Sequence, residues 1–140
     1  MKNSSMTDCI FCKIITQEIP SHVVFDGGDT LAFLDVHPTT KGHTLVIAKE
    51  HTANFLETTP ETLHAISDAV QKIAPAIMQA VGAQGCNIAI NNGAAAGQVI
   101  FHLHWHIIPR HGDDGLKPWP GKSYGEGEAA RLAEAIRAGL

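Results

Sequence analysis

Three histidines in strict alternation are the residues in this sequence best suited to chemistry. His102, His104 and His106 are three of the nine histidines in 140 residues, and the apolar residues Leu103 and Trp105 separate them. In a β-strand, residues two positions apart project from the same face. The pattern therefore predicts a strand with three imidazoles on one face and apolar side chains on the other, which favours a chemical role over a purely structural one.

The spacing of these imidazoles limits the chemistry that they can share. On a strand, neighbours of the trio are about 7 Å apart and the outer pair about 13 Å apart, so one metal ion cannot easily bind all three. Imidazole is a nucleophile when neutral and a proton donor when charged, and its ordinary pKa of about 6.5 keeps both forms available at neutral pH. Two roles remain. The trio can attack phosphorus and serve a leaving group, or one end histidine can bind a separate metal.

A loop of small residues leads directly into the histidine stretch. Residues 92–98 read Asn-Gly-Ala-Ala-Ala-Gly-Gln. Gly93 and Gly97 have no side chain, so backbone amides of this loop can approach phosphate oxygens and form an anion-binding concavity. A plain turn is the alternative for the loop by itself, and its position beside three histidines favours the phosphate-binding interpretation.

The cysteines indicate a second kind of site. Cys9 and Cys12 form a Cys-x2-Cys pair, which is half of a typical zinc site, and Cys86 has no apparent partner in the sequence. An odd number of cysteines in a presumed reducing compartment argues against a disulfide framework. The alternative for the pair is that both thiols are small buried hydrophobic groups, as free cysteines often are.

Length and composition exclude several classes of protein. A chain of 140 residues fits one domain, which we place at residues 9–140, and a net charge of −4 offers no broad basic field for a nucleic acid polymer. No apolar run reaches the roughly 18–20 residues that a membrane span needs, so we expect no membrane association. Residues 1–8 lack the apolar centre of a signal peptide, so we expect a flexible tail and a cytoplasmic protein.

The elements that must position these residues follow from periodicity and turn signals. Four strands are predicted at 22–25, 30–36, 43–48 and 86–91, the first two joined by a glycine turn, and the histidine stretch behind the strand formers 99–101 is the fifth. A short helix or turn is predicted within 9–19, a long helix between the cap Thr59 and the stop Gly82, a surface loop at 111–127, and a short helix at 128–138. These elements imply an α+β domain with antiparallel pairing.

Several blocks of the sequence together resemble the histidine triad (HIT) family. Residues 102–108 are similar to the family signature, in which three histidines alternate with apolar residues before a final apolar pair. Further similar blocks occur in the expected order, and the resemblance covers residues 9–110; the blocks are 10–15, 31–35, 42–47 and 91–98. The resemblance implies a HIT-like fold with a five-stranded antiparallel sheet, one long central helix and a short C-terminal helix. It also implies a homodimer whose two sheets join.

The activity that the resemblance implies is that of bacterial Hint-like proteins. Such a protein hydrolyses or transfers purine nucleotidyl groups through a covalent nucleotidyl-histidine intermediate, with phosphoramidates or dinucleoside polyphosphates of the AMP type as substrates. His104 matches the nucleophile, and His106 matches the partner that contacts the phosphate and the leaving group. His43 corresponds to a further histidine near the phosphate, and Asp35 to the residue that binds ribose hydroxyls.

The other residues implied by the resemblance form three sets. The purine pocket consists of Phe11, Ile14, Phe33 and Val36. The residues that contact the α-phosphate are Asn91, Gly97 and Gln98. Bacterial members can combine the two cysteines with a histidine after the third strand and the first triad histidine, which implies a structural Zn²⁺ held by Cys9, Cys12, His51 and His102. No cofactor is expected for the chemical step.

Val99 departs from the family pattern. Hint relatives carry a serine there that helps with the phosphate and the leaving group, so Val99 favours an alternative, a nucleotide-binding or interaction protein with little turnover. A zinc-dependent hydrolase in which a histidine pair holds a catalytic metal is a further alternative.

The segment after Arg110 is longer than in compact relatives, although Trp119 and Pro120 are similar to their terminal segment. The sequence leaves the physiological substrate and pathway open.

Overall fold

A five-stranded antiparallel sheet is the centre of the computed structural model, which describes residues 8–140. The strands are β1 (Val23–Asp26), β2 (Thr30–Leu34), β3 (Thr44–Ala48), β4 (Gly85–Ile90) and β5 (His104–Arg110), and the helices are α1 (Ile10–Ile15), α2 (Pro60–Val81) and α3 (Glu128–Ala138). The strand order is β1-β2-β3-β5-β4. The predicted α+β class, with its long central helix and its short C-terminal helix, is confirmed.

Strand β5 lies inside the sheet, where β3 and β4 support it from both sides. In the β3–β5 register, Ile47 pairs with His104 and Leu45 pairs with His106. Cross-strand partners project from the same face of a sheet. The register therefore places both imidazoles among the apolar side chains of β3.

The two faces of the sheet pack against different helices. α2 covers the face that carries Val46, Leu103 and Ile107, all of which are buried. Phe11 and Ile14 of α1 pack against the opposite face. Because β5 alternates, the apolar residues between the histidines contact α2 and the histidines lie on the side of α1.

Helix α2 begins and ends where capping chemistry predicts. The hydroxyl of Thr59 accepts a hydrogen bond from the N–H of Thr62 at 3.3 Å, and Pro60 occupies the first turn, where its missing N–H costs nothing. Gly82 ends the helix in the left-handed conformation with φ of 67°. These local signals fix the two ends of the helix.

The histidine strand begins later than the sequence predicts. β5 starts at His104, so residues 99–101 and His102 lie ahead of it in an irregular segment. The N–H of Leu103 donates to the Thr52 carbonyl at 2.8 Å, which takes the backbone out of the sheet ladder. The alternation of faces continues nevertheless, because His102 is buried against Phe11 on the side of α1.

The remaining segments lie toward the two ends of the chain. The predicted tail at residues 1–8 lies outside the described residues, apart from Asp8. Residues 111–127 contain neither a helix nor a strand, and α3 follows them as predicted. In the part of the chain from residue 8 onward, none of the helices has the length and apolar character to cross a membrane.

Candidate active site

A cavity of about 500 Å³ opens beside β5. The predicted site residues that line it are Phe11, Ile14, Phe33, Asp35, Val36, Gly97, His104 and His106. Residues that sequence reasoning missed also line it, namely Ile10, Ile19, Pro20, Ser21, Leu34, His37, Leu45 and Ile100. Leu45 could have been found from the sequence, because it alternates with the buried Ile47 on the histidine side of β3. The predicted residues His43, Asn91 and Gln98 are not among the residues that line it.

His104 presents an unprotonated nitrogen to this cavity. Its Nδ1–H donates to the carbonyl of His102 at 2.8 Å, so in the neutral ring the lone pair is on Nε2. Burial lowers the pKa of His104, which keeps the ring neutral near pH 7. The ring also lies edge-on to Phe11, with 5.1 Å between the ring centroids. The result is a rigidly held neutral imidazole, which is the nucleophilic form.

His106 has the opposite tautomer. The backbone N–H of Thr39 donates to Nδ1 of His43 at 3.0 Å, so the proton of neutral His43 is on Nε2. That Nε2–H donates to Nδ1 of His106 at 2.9 Å, which places the proton of His106 on its own Nε2. Burial, with smaller contributions from His104 and His43, lowers the pKa of His106 to about 4. Its buried Nε2–H has no hydrogen-bond partner among the described residues.

Asp35 adds the carboxylate of the site. One oxygen accepts a hydrogen bond from the N–H of His37 at 2.8 Å, and the other oxygen lies 3.7 Å from Nε2 of His43. Proximity to this carboxylate raises the pKa of His43, although burial has the larger effect and lowers it. Asp35 is therefore held by the backbone at the rim of the cavity, where a carboxylate can accept hydrogen bonds from hydroxyl groups.

The cysteines lie with two histidines behind the cavity. One ligand atom from each of Cys9, Cys12, His51 and His102 falls within a cluster whose members are all within 4.8 Å of one another. Nδ1 of His102 is 3.4 Å from Cys9 Sγ and 3.6 Å from Cys12 Sγ, and Nδ1 of His51 is 3.3 Å from Cys12 Sγ. In a tetrahedral zinc site with bonds of about 2.3 Å to sulfur and about 2.0 Å to nitrogen, the sulfur and nitrogen ligand atoms are separated by similar distances.

The tautomer of His102 also fits a metal ligand. The ring is fully buried, and its Nε2–H donates to the Ala48 carbonyl at 2.8 Å, which leaves the lone pair on Nδ1 toward the sulfurs. A ligating histidine usually donates its other N–H to such an acceptor. The cluster of Cys9, Cys12, His51 and His102 could therefore bind a metal ion.

A second group of possible ligands fits a metal less well. Atoms of Asp35, His43 and His106 also lie within 4.8 Å of one another. However, Nδ1 of His43 accepts the N–H of Thr39, so the nitrogen that faces the group carries the proton. A protonated nitrogen has no lone pair for a metal. The hydrogen bonds therefore distinguish a metal-ligand cluster from a reactive cluster, although both contain histidines.

The helix α1 connects the cysteine cluster with the cavity. The Cys9 sulfur caps the helix by accepting the N–H of Cys12 at 3.4 Å, and Phe11 lies between the two cysteines in the chain. The Phe11 ring packs edge-on against Phe33, with 5.5 Å between centroids, and against His104. The same turn of the chain thus carries both cysteines of the possible metal cluster and one wall of the cavity.

The loop between β4 and β5 is held by the side chain of Gln98. The amide oxygen accepts the N–H of Gly93 at 2.9 Å, and the amide nitrogen donates to the carbonyls of Ala53 at 2.7 Å and Ile100 at 3.0 Å. Gly97 has φ of 94°, which favours glycine, and it lines the cavity. The buried Gln98 side chain thus shapes the loop from behind, and its predicted contact with phosphate stays a prediction.

The cavity thus combines a neutral imidazole that has a free lone pair, a second imidazole with a free N–H, and one carboxylate. Such a site can bind a small molecule and attack it. The family model of the HIT domain matches residues 16–113. This match covers more than half of the chain, and the chain belongs to the HIT family. Family membership supports a nucleotide hydrolase or transferase at the level of the family.

Individual relatives agree with this assignment. Protein hit of Bacillus subtilis is 51% identical over 105 residues, which are 75% of this chain and 72% of that protein. Adenylylsulfatase HINT3 of Arabidopsis thaliana is 41% identical over 136 residues, which are 93% of this chain and 68% of that protein. A crystal structure of a Zn-bound histidine triad family protein from Mycobacterium smegmatis matches with a TM-score of 0.77 and 37% identity, covering 96% of this chain and 99% of that chain.

Replacing Gln98 by alanine tests the role of the loop anchor. We expect Gln98→Ala to lower the free energy of unfolding by about 2 kcal/mol, because it removes the partners of three backbone groups. Urea denaturation measures this loss, and Gln71→Ala on the exposed face of α2 is the control, with an expected change within about 0.5 kcal/mol. A stable Gln98→Ala variant with weakened AMP binding would instead indicate that the side chain acts on the phosphate.

Proposed function

We propose that this protein is a purine nucleotidyl hydrolase or transferase that forms a covalent intermediate on Nε2 of His104. Its substrates are phosphoramidates or dinucleoside polyphosphates of the AMP type. The observation that carries the proposal is the hydrogen bond from His104 Nδ1–H to the His102 carbonyl, which turns the lone pair of Nε2 toward the cavity. A neutral imidazole held in this way is prepared to attack phosphorus.

The proposed reaction has two displacements at phosphorus. First, the Nε2 lone pair of His104 forms the N–P bond as the bond from phosphorus to the leaving group breaks, and the His102 carbonyl stabilises the positive ring that results. A polyphosphate leaves with the electron pair as an anion, and an amine leaves with that pair and a proton from solvent. The Nε2–H of His106 donates a hydrogen bond to the phosphate or the leaving group. The oxygen of water then bonds to phosphorus, the electron pair of the N–P bond returns to Nε2, the surplus proton of water goes to solvent, and the nucleoside monophosphate leaves.

The remaining parts of the cavity suit an AMP-type nucleotide. Phe11 and Phe33 offer aromatic edges and Ile14 an aliphatic surface for a purine ring, while the free oxygen of Asp35 can accept hydrogen bonds from ribose hydroxyls. Gly97 allows the loop backbone to approach the α-phosphate, with Asn91 beside it. The name of the Arabidopsis relative, an adenylylsulfatase, supports an adenylyl group as the part that is transferred.

We also propose that Cys9, Cys12, His51 and His102 hold a structural Zn²⁺. The sulfur and nitrogen separations, the tautomer of His102 and the Zn-bound relative from Mycobacterium smegmatis support this proposal. Four protein ligands complete a tetrahedron and leave no position for water, which favours a structural zinc over a catalytic one. The ion would hold α1 against the segment that carries His102, and the chemical step would use His104 directly.

A homodimer is the third part of the proposal. Strand β4 is an edge of the sheet, so its outer backbone groups have no strand beside them in the described chain, and its Ile88 is half exposed. An exposed edge of this kind pairs readily with another strand. Two β4 strands from two copies would join the sheets into one, as the family resemblance implies.

Val99 favours a second candidate function, which is nucleotide binding with little turnover. Its side chain is 84% exposed and lines the cavity where Hint relatives have a serine hydroxyl. Tight binding of AMP without turnover of an adenosine phosphoramidate or of diadenosine polyphosphates would favour this candidate.

The nucleophile is tested by replacing His104. We expect His104→Ala to lower kcat for an adenosine phosphoramidate by at least about 1000-fold, because the variant lacks the nitrogen proposed to form the covalent bond. Intact-protein mass spectrometry of rapidly quenched reactions should detect a nucleotidyl adduct on the wild type and none on the variant. His64→Ala, on the exposed face of α2, is the control and should retain wild-type turnover. Wild-type turnover by His104→Ala would contradict the assignment.

The metal site is tested by stoichiometry and stability. We expect one zinc per wild-type chain, and zinc added to the chelator-treated protein should raise its melting temperature, because the ion binds the folded state preferentially. Cys12→Ser should lose both effects, whereas Cys86→Ser, which lies outside the cluster, should keep them. Atomic absorption and thermal denaturation measure the two effects, and a full zinc equivalent in Cys12→Ser would refute the site.

The proposed interface is tested at the two edges of the sheet. Ile88→Glu on β4 should shift sedimentation velocity from dimer to monomer, because it buries a charge in the joined sheet. Val24→Glu on β1, at the opposite edge, changes a similarly exposed residue and should leave a dimer. A wild-type monomer, or a dimer lost only in Val24→Glu, would contradict an interface at β4.

A further inference from the structure

We infer that Cys9 and Cys12 are a redox modification site, where a small-molecule disulfide oxidises the two thiols to one intramolecular disulfide and thereby weakens nucleotide binding in the cavity. The oxidation itself is independent of the proposed function. Its effect on the cavity rests on the proposed zinc and nucleotide binding, and the two parts have separate measurements.

The two thiols lie within reach of one another at the start of α1. Cys9 is the N-cap of the helix, and its sulfur accepts the backbone N–H of Cys12 at 3.4 Å, so both residues belong to the first turn. Their sulfurs are within 4.8 Å of one another, and both thiols are free in this structure. A disulfide has a separation of about 2.0 Å between its sulfurs, so an approach of at most about 3 Å joins them.

The two sulfurs differ in their access to solvent, which assigns their roles. Cys9 is 1% exposed, whereas Cys12 is partly exposed. The rate of attack on a dissolved disulfide depends on the access of the attacking sulfur. Cys12 is therefore the sulfur that attacks the oxidant, and the buried Cys9 is the sulfur that resolves the mixed disulfide.

The bond changes balance with a small-molecule disulfide, such as oxidised glutathione, as the oxidant. Cys12 Sγ bonds to one sulfur of the oxidant, whose S–S bond breaks, and the other half leaves as a thiol. Cys9 Sγ then bonds to Cys12 Sγ, and the second half of the oxidant leaves as a thiol. The cysteines lose two electrons, which reduce the oxidant to two thiols. The two protons of these thiols come from the cysteines, or from solvent where the cysteines are thiolates.

Oxidation removes the contacts that connect α1 with the two histidines of the cluster. The paired sulfurs are no longer thiolates, so two of the four proposed zinc ligands are lost and the ion is released. Pairing of the sulfurs also competes with their contacts to Nδ1 of His102, at 3.4 Å from Cys9 and 3.6 Å from Cys12. The apolar packing of Phe11 and Ile14 then remains to hold α1 against the sheet.

Phe11 connects this turn with the cavity. It stands between the two cysteines in the chain, and its buried ring lines the cavity and lies edge-on to His104, with 5.1 Å between the centroids. When α1 is less restrained, a nucleotide that packs against Phe11 must also order this wall, which lowers its affinity. Nucleotide binding and oxidation therefore oppose each other, and by linkage each weakens the other to the same extent.

Oxidation of the full-length Cys86→Ser protein tests the modification, because this variant keeps only the two cysteines of the site. We expect excess oxidised glutathione to lower the intact mass of the zinc-loaded protein by two hydrogens and to release one zinc, which a colorimetric chelator detects. Dithiothreitol should restore the original mass. A chain that keeps both thiols, or that stops at a stable adduct with glutathione, would overturn the inference.

Single substitutions in the Cys86→Ser background separate the roles of the two sulfurs. Cys9→Ser should accumulate a mixed disulfide on Cys12, because the resolving sulfur is absent. Cys12→Ser should react with oxidised glutathione at least about tenfold more slowly, because its remaining sulfur is buried. Equal rates of adduct formation in the two variants would refute Cys12 as the attacking sulfur.

AMP binding tests the connection with the cavity. Isothermal titration calorimetry should give a Kd for AMP that is about tenfold higher for the disulfide form than for the reduced, zinc-loaded form, and saturating AMP should slow the oxidation. In Phe11→Leu the disulfide should still form but raise the Kd by less than about threefold, because the aromatic contact with His104 is missing. An unchanged Kd in the fully oxidised protein would contradict the connection.

Failure of the proposed function gives a different result. A reduced, zinc-loaded protein that binds no AMP would contradict the proposed nucleotide site, while the mass and the zinc release would still report on the modification. A reduced protein without zinc would contradict the proposed metal site, and the loss of two hydrogens would still report on the disulfide.

Discussion

The burial of the His102 ring is the constraint on which this site depends. The Nε2–H of the ring donates to the Ala48 carbonyl, and this bond fixes both its orientation and its tautomer. Nδ1 consequently faces Cys9 and Cys12, while the backbone carbonyl of the same residue accepts Nδ1–H of His104. One residue therefore contacts both the Cys/His cluster and the His104 imidazole.

Two neighbouring histidines on one strand have different chemistry because their second nitrogens meet different partners. The partner of His104 is a carbonyl, which only accepts, so the free nitrogen of His104 is a lone pair. The partner of His106 is the protonated nitrogen of His43, which donates, so the free nitrogen of His106 carries a proton. Burial keeps both rings neutral and thereby preserves the difference. Hydrogen bonds outside the cavity therefore decide which ring has a lone pair and which has an N–H on its free nitrogen.

Signals that are local or periodic made much of the fold predictable. Thr59 and Gly82 marked the ends of α2 because capping depends on a few adjacent residues, and the glycine turn between β1 and β2 has the same local origin. The start of β5 was predicted too early because strand propensity alone cannot register the long-range bond from Leu103 to Thr52. The sequence did not predict the role of Gln98 as an anchor for the same reason. Its partner Ala53 lies far along the chain, and its partner Gly93 lies across the loop.

The sequence by itself determined that imidazoles would line one side of a strand and that a small-residue loop would precede this strand. It also determined that a cysteine pair would begin the fold. Alternation, residue size and spacing are properties of the chain. Only the tertiary structure decided which nitrogen of each ring carries the proton and how each ring is oriented. Those properties depend on contacts such as Thr39 with His43 and Ala48 with His102. Backbone groups of distant segments supply them, and no local pattern records their direction.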